Sequence, residues 1–499
     1  MEIYSHCSDG IPLYDEVIGM KYTNWTLRIT IAVVCIIGLS RSGVGQYAPA
    51  PGMQDPVGQY AVDPHVDDTD AIIDEGGSLF KTPSYLVRDR ADGWYKTLSP
   101  GCDTFWGPGE WRFKAWVDQG ITYGSGRVDE TFAPQAYNDM YNGYQMNQVY
   151  LALERKAAEN GANVSWGGRI DAMFGTDYYY TQAYSLEASN VGYMTTINGP
   201  EGRVNHWNGD GSRHLAQEVA EYGFSLPQAY LEVYMPILTG VKIKAGHYYS
   251  GMSMENPMAT ENFFYSHSYT SYYGTPTTLT GIQATFGSST GLSLFGGADF
   301  GWNRWGTKDG GVSGYGGVRW VNPCNNVATQ FMVHSGRETW TYKPNRFSDV
   351  VNADFNVTVL SWLTEWRITS WLATNFEFVY GWDSKGNFPQ DSVDTSNWVS
   401  ITNSWFIRCT ETITTGLRFE WFRDNPQCGR IVYSKVYDDT QCNVFDITLG
   451  VNWKPTYWCT IRPEVRWDWS DLSGPDYAPK FFGDKNSQFT FGMDVLLTF

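Results

Sequence analysis

The sequence predicts an all-β protein, a single antiparallel transmembrane barrel of about sixteen strands, with fourteen to eighteen compatible with the spacing. Three observations carry this. Segments of about ten residues alternate apolar and polar side chains with period two, the length and pattern of a strand crossing a bilayer. Connections between them alternate short and long. Composition is rich in aromatics and glycine, with 22 Trp, 33 Tyr, 26 Phe and 52 Gly in 499 residues and only 18% charged, which favours strands over helices.

The clearest strand closes the chain. In Gln488 to Phe499, Phe489, Phe491, Met493, Val495, Leu497 and Phe499 share one face, while Gln488, Thr490, Gly492, Asp494, Leu496 and Thr498 share the other. A half-buried strand of a soluble sandwich alternates in the same way, so the repetition of the pattern decides. Trp111, Phe113, Ala115 and Val117 alternate with Arg112, Lys114, Trp116 and Asp118. Ala229, Leu231, Val233 and Met235 alternate with Gln228, Tyr230, Glu232 and Tyr234. Phe445 to Trp453 and Ile461 to Trp469 continue the theme. Charges on one face are costly in lipid and cheap in a wet lumen.

Long gaps fall near 121 to 142, 175 to 223, 251 to 276, 302 to 311, 337 to 350, 383 to 397, 425 to 442 and 470 to 485. Short ones lie at Lys156 to Ala162, Pro236 to Gly240, Gly287 to Ser289, Asn322 to Asn325, Thr369-Ser370, Cys409-Thr410 and Lys454-Pro455-Thr456. Beginning the barrel at Gly143 gives fifteen strands and puts the 175 to 223 loop on the short-turn side. Adding Glu110 to Gly120 restores both parity and loop side. Sixteen strands enclose an aqueous channel.

Upstream, Lys21 and Arg28 precede the apolar run Ile29 to Leu39, and Gly43 and Gly45 follow, the pattern of an export signal cut near Gly45. Residues 1 to 45 are therefore expected to be a signal peptide with an N-terminal extension, Met20 being the natural start. Residues 46 to 109 read as an acidic, Pro-rich arm or plug, and 110 to 499 as the barrel. Asp67, Asp68 and Asp70 lack the glycine and glutamate of a calcium loop and read as a solvated acidic tail. After Leu39 no apolar stretch is long enough for a membrane-spanning helix, so membrane residence rests on strands.

Net charge of −18 argues against nucleic-acid binding. Among the eight cysteines no CxxC spacing occurs, which argues against a zinc ribbon or redox dithiol. Each exported cysteine reads by default as a small buried hydrophobe. Cys428 and Cys442 are spaced for a local disulfide in an outer loop. No cofactor or metal site is expected. HExxH and glycine-rich phosphate motifs are missing, and the neighbours Ser266 and His267 would point to opposite faces of a strand, so no enzyme is expected.

Turning the polar faces inward collects the expected pore-lining groups. Cations are Arg112, Lys114, Arg169, Lys242, Lys244, Arg319, Arg418, Arg462 and Arg466; anions are Asp118, Asp171, Glu232, Glu377, Glu420, Asp446, Glu464, Asp468 and Asp494. The sets balance, so the negative excess belongs to loops and arm, where a mouth potential weakly favours cations. Pairing across strands, which merely keeps the lumen wet, is the competing use of each charge. Trp382, Trp405, Trp421, Trp453, Trp458, Trp467 and Trp469 fit interfacial girdles, their scatter speaking against a sugar-stacking platform. The longest loop, with DYYYTQAYSLE at Asp177 to Glu187 and HWNGDGSRH at His206 to His214, is expected to fold inward and narrow the pore.

From about Gln145 to Phe499 the chain resembles the beta-barrel porin family called OmpL-like. The stretches QMNQVYLALER, GRIDAMFGTDYYYTQAYSLE, SLPQAYLEVY, VKIKAGHYYS, NFFYSHSYT, GLRFEWFRD, IRPEVRWDWS and KNSQFTFGMDVLLTF carry the likeness. The resemblance implies a bacterial outer-membrane barrel that passes small hydrophilic solutes, surrounded by outer-membrane lipids. It implies no substrate or binding residue. In proteins it resembles, the terminal Phe, here Phe499, is where barrel-assembly machinery recognises its client. Trimers are common among sixteen-stranded barrels, yet no subunit interface stands out. The competing functions are a secreted, aromatic-rich carbohydrate-binding protein and a barrel hydrolase acting on lipid.

Overall fold

The computed structural model describes residues 96–97, 111–126, 134–157, 163–187, 195–196, 199–200, 222–287, 291–306, 311–324, 326–342, 351–384, 396–424, 430–431, 442–471, 482 and 485–499, all within the compact unit Asp68–Phe499. The expected signal segment, the acidic triplet near Asp68 and the HWNGDGSRH stretch lie outside them.

Sixteen antiparallel strands close on themselves. They are β1 (Trp111–Gly124), β2 (Gly143–Arg155), β3 (Ser165–Gly175), β4 (Gly223–Ser225 and Ala229–Met235), β5 (Val241–Tyr249), β6 (Thr278–Gly287), β7 (Leu292–Asp299) and β8 (Ser313–Val321). There follow β9 (Val327–Tyr342), β10 (Val351–Arg367), β11 (Leu372–Ser384), β12 (Ser396–Arg408), β13 (Ile413–Asp424), β14 (Cys442–Thr456), β15 (Cys459–Ser470) and β16 (Ser487–Thr498). Each pairs with its neighbour in sequence, and β16 returns to β1 through the register Trp116↔Thr498 to Gly124↔Thr490. Closure leaves no unpaired sheet edge, the condition for a sheet to sit in lipid.

Short turns and long loops alternate as the spacing requires. The last turn lies at Tyr457-Trp458, just past the expected Lys454 to Thr456, because a register shift between Trp453 and Thr456 carries β14 further. In β4, Pro227 offers no N–H to a ladder, so the strand divides. Gly223–Ser225 pairs with the outer end of β3 and Ala229–Met235 with its inner end. Strands β9 and β10, 16 and 17 residues long, exceed the bilayer's need and rise together beyond it at the long-loop end.

Side-chain burial follows the predicted alternation. Leu151, Ile170, Phe174, Leu231, Ile282, Leu294, Phe331, Leu417, Leu449 and Phe491 are exposed on the outer surface. Such an apolar belt suits lipid and would be unsustainable on a secreted soluble protein. Trp320, Trp366, Trp371, Trp405, Trp453, Tyr457 and Trp458 crowd the short-turn end, with Tyr123, Tyr144, Trp467 and Phe489 exposed toward the other, so two girdles form.

The disulfide expected between Cys428 and Cys442 falls partly outside the described residues. Cys442 is the first residue of β14, and its buried free thiol lies 3.2 Å from Ser470 Oγ; Cys428 is outside the described residues. Cys324 and Cys409 are exposed free thiols in short turns, not the buried hydrophobes their composition suggested.

Candidate functional site

The lumen is crossed by the connection between β5 and β6, residues 250–277, whose side chains are mostly buried. Wall side chains on the inward faces hold it by its backbone. Glu464 accepts the N–H groups of Tyr265 and Ser266, both at 3.0 Å, and Glu420 accepts those of Tyr269 and Thr270 at 2.8 and 2.7 Å. A carboxylate presents two oxygens, so each can take two successive amides. Arginines take the carbonyls: Arg462 donates to Ala259 O and Asn262 O, Arg418 to Ser266 O at 2.8 Å, and Arg466 to His267 O at 2.6 Å. Further along, Glu377 accepts the Met254 N–H at 3.3 Å, Gln330 donates to Gly251 O and Ser361 to Met252 O.

The same wall makes room for the aromatic stretch Phe263-Phe264-Tyr265. Gly416, Gly450, Glu464 and Gly492 are register partners across β13 to β16. A Cβ on Gly416 would come within 2.3 Å of the Phe263 ring, on Gly450 within 3.0 Å of Phe264, and on Gly492 within 3.1 Å of Tyr265. The row is thus a shallow trough with one carboxylate in it.

Every expected pore-lining residue lies on an inward face, as the period-two register demands. Most are paired. Arg169 meets Asp171 at 2.7 Å, Arg466 meets Asp468 at 2.7 Å and Asp446 at 3.5 Å, Arg418 meets Asp446 at 3.5 Å, and Arg462 meets Asp494 and Asp118. Lys114 reaches Glu261 of the crossing segment at 3.3 Å, and Lys244 lies over the Tyr230 ring at 4.6 Å. Glu232 accepts the Ala157 N–H. Arg112, Lys242 and Arg319 share the inward set. On the β13 to β16 wall these groups therefore serve the crossing segment.

The opening stretch of the longest loop, Thr176–Glu187, includes the short helix α1 (Tyr178–Thr181) and packs in the outer half of the lumen. Asp177 accepts from Asn147 and Gln148 of β2, and Gln148 also donates to Pro257 O and accepts the Ala259 N–H, so the two segments share an anchor. Burial pushes the carboxyls of Asp177 and Glu187 up to about 7 and that of Asp139 up to about 6. His267 is driven the other way, down to about 4, by burial against the Tyr137 ring. For Glu255, burial opposes ionisation, but the Arg418 guanidinium and His267 hold it below its ordinary value.

Sequence reasoning missed the inward groups outside its cleanest strands. These are the carboxyls Glu154, Asp177, Glu187, Glu255, Asp299 and Asp424 and the guanidiniums Arg304 and Arg430. For Glu154 the signal was available, since it alternates with Leu151 and Leu153; for Glu255 none was. Two cavities flank Glu255. Each is water-sized, about 20 Å³; one is bordered by Tyr137, Asn256, His267 and Ser271, and the other by Phe263, Phe264, Phe406, Asn375 and Glu377.

The family described as Putative beta-barrel porin-2, OmpL-like, matches residues 110–499. The chain belongs to that family. This porin resides in the bacterial outer membrane and forms a passive channel for small hydrophilic solutes. Its fold is similar to that of outer-membrane expressed OmpT of Vibrio cholerae, with TM-score 0.50 and 8% identity over 81% of this chain and 100% of that one. The outer membrane channel DcaP of Acinetobacter baumannii aligns at TM-score 0.48 with 12% identity, covering 78% and 97% of the two chains. An anion-selective porin from Comamonas acidovorans aligns at 0.49 with 9% identity, covering 79% and 100%. No curated protein matches the chain in sequence.

Proposed function

We propose that this porin is a narrow, weakly cation-preferring channel whose bore is set by residues 250–277. The observation that carries it is the capture of that segment's backbone by wall carboxylates and arginines, which leaves only water-sized cavities beside it. The additional inward carboxyls outnumber the additional guanidiniums, which supports a cation preference beyond the balanced wall sets. The pore-lining roles belong to the wall residues named above. Those on β3 to β8, such as Lys242, Lys244 and Arg319, would face passing solute, and those on β13 to β16 would act through the segment they hold.

The protein works without catalysis in this reading. Ser266 and His267 lie inside the lumen, where Ser266 Oγ accepts from Arg418, away from any lipid surface. We also propose that Phe499, exposed at the short-turn rim with its backbone paired to Ala115, serves barrel assembly. The arm before β1 is tethered at the same rim, since Lys96–Thr97 pairs with Arg112 and Phe113. The oligomeric state, with a trimer as the form common among sixteen-stranded barrels, is read from the mass of the detergent-folded protein.

The test is single-channel recording in planar bilayers under a salt gradient. Small unitary steps with a reversal potential on the cation side are expected. Folded protein that never conducts would sink the channel, and an anionic reversal potential would sink the preference.

A further inference from the structure

The inward charges are not spread evenly along the pore axis. Within four residues of a short turn, β1 brings Arg112 and Lys114 to the lumen face, β5 brings Lys242 and Lys244, and β8 brings Arg319. Arg367 on β10, Arg408 on β12, Lys454 on β14 and Arg462 on β15 take the same inward register at the same end. The strand carboxyls there are Glu154, Glu232 and Glu365. Glu261 of the crossing segment meets Lys114 at 3.3 Å, and Asp494, one residue further from the turn, meets Arg462. Cations still outnumber carboxyls.

The outer end is the reverse. Within four residues of a long loop the inward charges are Asp299, Asp383, Asp424 and Asp468, and no Lys or Arg joins them on that face among the described residues. In the loop segments above, buried Asp177 and Glu187 match buried Arg304 and Arg430, so the excess stays negative. Between the two ends the signs are interleaved, as in Arg169 with Asp171 and in Arg418 and Arg466 with Asp446.

Fixed charge of one sign gathers mobile ions of the other, so the outer end holds cations and the inner end anions. With the long-loop side positive, cations move inward from the outer zone and anions move outward from the inner zone, and both enrich the middle of the bore. The opposite voltage draws both away and depletes it. Pairing between neighbours does not abolish this, because the net charge of each end sets the ion cloud around it.

We propose that the channel rectifies, passing more current with its long-loop side positive than with that side negative. The inference deepens the channel reading and rests on it. It also accounts for a weak overall ion preference, since the two ends favour opposite ions.

The experiment records current against voltage for single channels in symmetric potassium chloride at about pH 8, where ordinary histidines are neutral. Orientation is read from Cys324 and Cys409, exposed in short turns: a maleimide-bearing polyethylene glycol should lower conductance only from the chamber that shares their side. Currents at equal and opposite voltages should differ about twofold in about 0.1 M salt, where the Debye length is about 10 Å, and become nearly equal in about 1 M salt, where it is about 3 Å. Lys242→Gln combined with Arg319→Gln should bring the low-salt ratio toward one. Asp383→Asn, at a half-buried position of the outer end, is a milder change that should also lower the ratio and serves if the double variant does not fold. A straight low-salt curve, a larger current with the long-loop side negative, asymmetry that persists in about 1 M salt, or a ratio that the variants leave unchanged overturns the proposal while the channel stands. No current at all sinks the channel reading, and this inference with it.

Discussion

Among the connections that enter the lumen, two are held in opposite ways. Residues 250–277 offer backbone amides and carbonyls, and the wall supplies the charge that binds them, through Glu420, Glu464, Arg418, Arg462 and Arg466. Residues 176–187 bring their own carboxyls, Asp177 and Glu187, and the barrel supplies neutral donors such as Asn147, Gln148 and Trp305. The segment that lays its main chain on a charged wall runs across the bore; the one that must bury its own acids stays in the outer half.

The largest expected effect comes from removing one wall anchor. Glu464→Ala orphans the Tyr265 and Ser266 amides at about 1–3 kcal/mol each, so the segment should detach locally, with faster hydrogen exchange at those amides and larger unitary conductance. Glu464→Gln, which keeps one acceptor oxygen, should recover part of the protection. An unchanged bore in Glu464→Ala would break the comparison.

Filling the trough should cost somewhat less. Gly416→Val places side-chain atoms where the Phe263 ring now lies, an overpacking worth about 1–3 kcal/mol. The barrel should still form, giving heat-resistant mobility on gels, while conductance becomes noisy. A quiet channel of wild-type size would show that the ring has another place to go.

The smallest effect sharpens the comparison through pH. Asp177 and Glu187 carry pKa values raised to about 7 from 3.8 and 4.5, so the folded segment holds protons that the unfolded one has lost. Its stability is full at acid pH and declines as pH rises toward about 7. His267 shows the reverse sign, lowered from 6.5 to about 4, so the 250–277 segment keeps its stability above pH 6.5 and loses it as pH falls toward about 4. Amide exchange across the two segments should therefore drift in opposite directions between pH 4 and pH 7. Parallel drift would mean that burial of these groups is shared, not local.

The barrel itself was legible because each strand writes its two faces in alternation: Leu231 outward and Glu232 inward needs no tertiary information. Loop side and strand parity followed from gap lengths, and the inward charges from the same register. What did not follow was the use of those charges. Glu420 and Glu464 read as free lumen carboxylates, yet each is filled by two amides from a segment roughly 150 to 200 residues away, a pairing that local pattern does not encode. Nor did local pattern reveal that the register of β14 turns the Cys442 thiol inward toward Ser470. A hint of the docking was present in the inward Gly416, Gly450 and Gly492, which break an otherwise polar face at one level.

That glycine row gives the channel an adjustable aperture. A single added methyl at any of its positions changes how far the aromatic stretch stands off the wall, without altering a charge in the lumen. The bore can thus be tuned at residues that carry no charge. A lineage under pressure to exclude a toxic solute could tighten the passage in small increments, one side-chain carbon at a time, and keep its electrical character throughout.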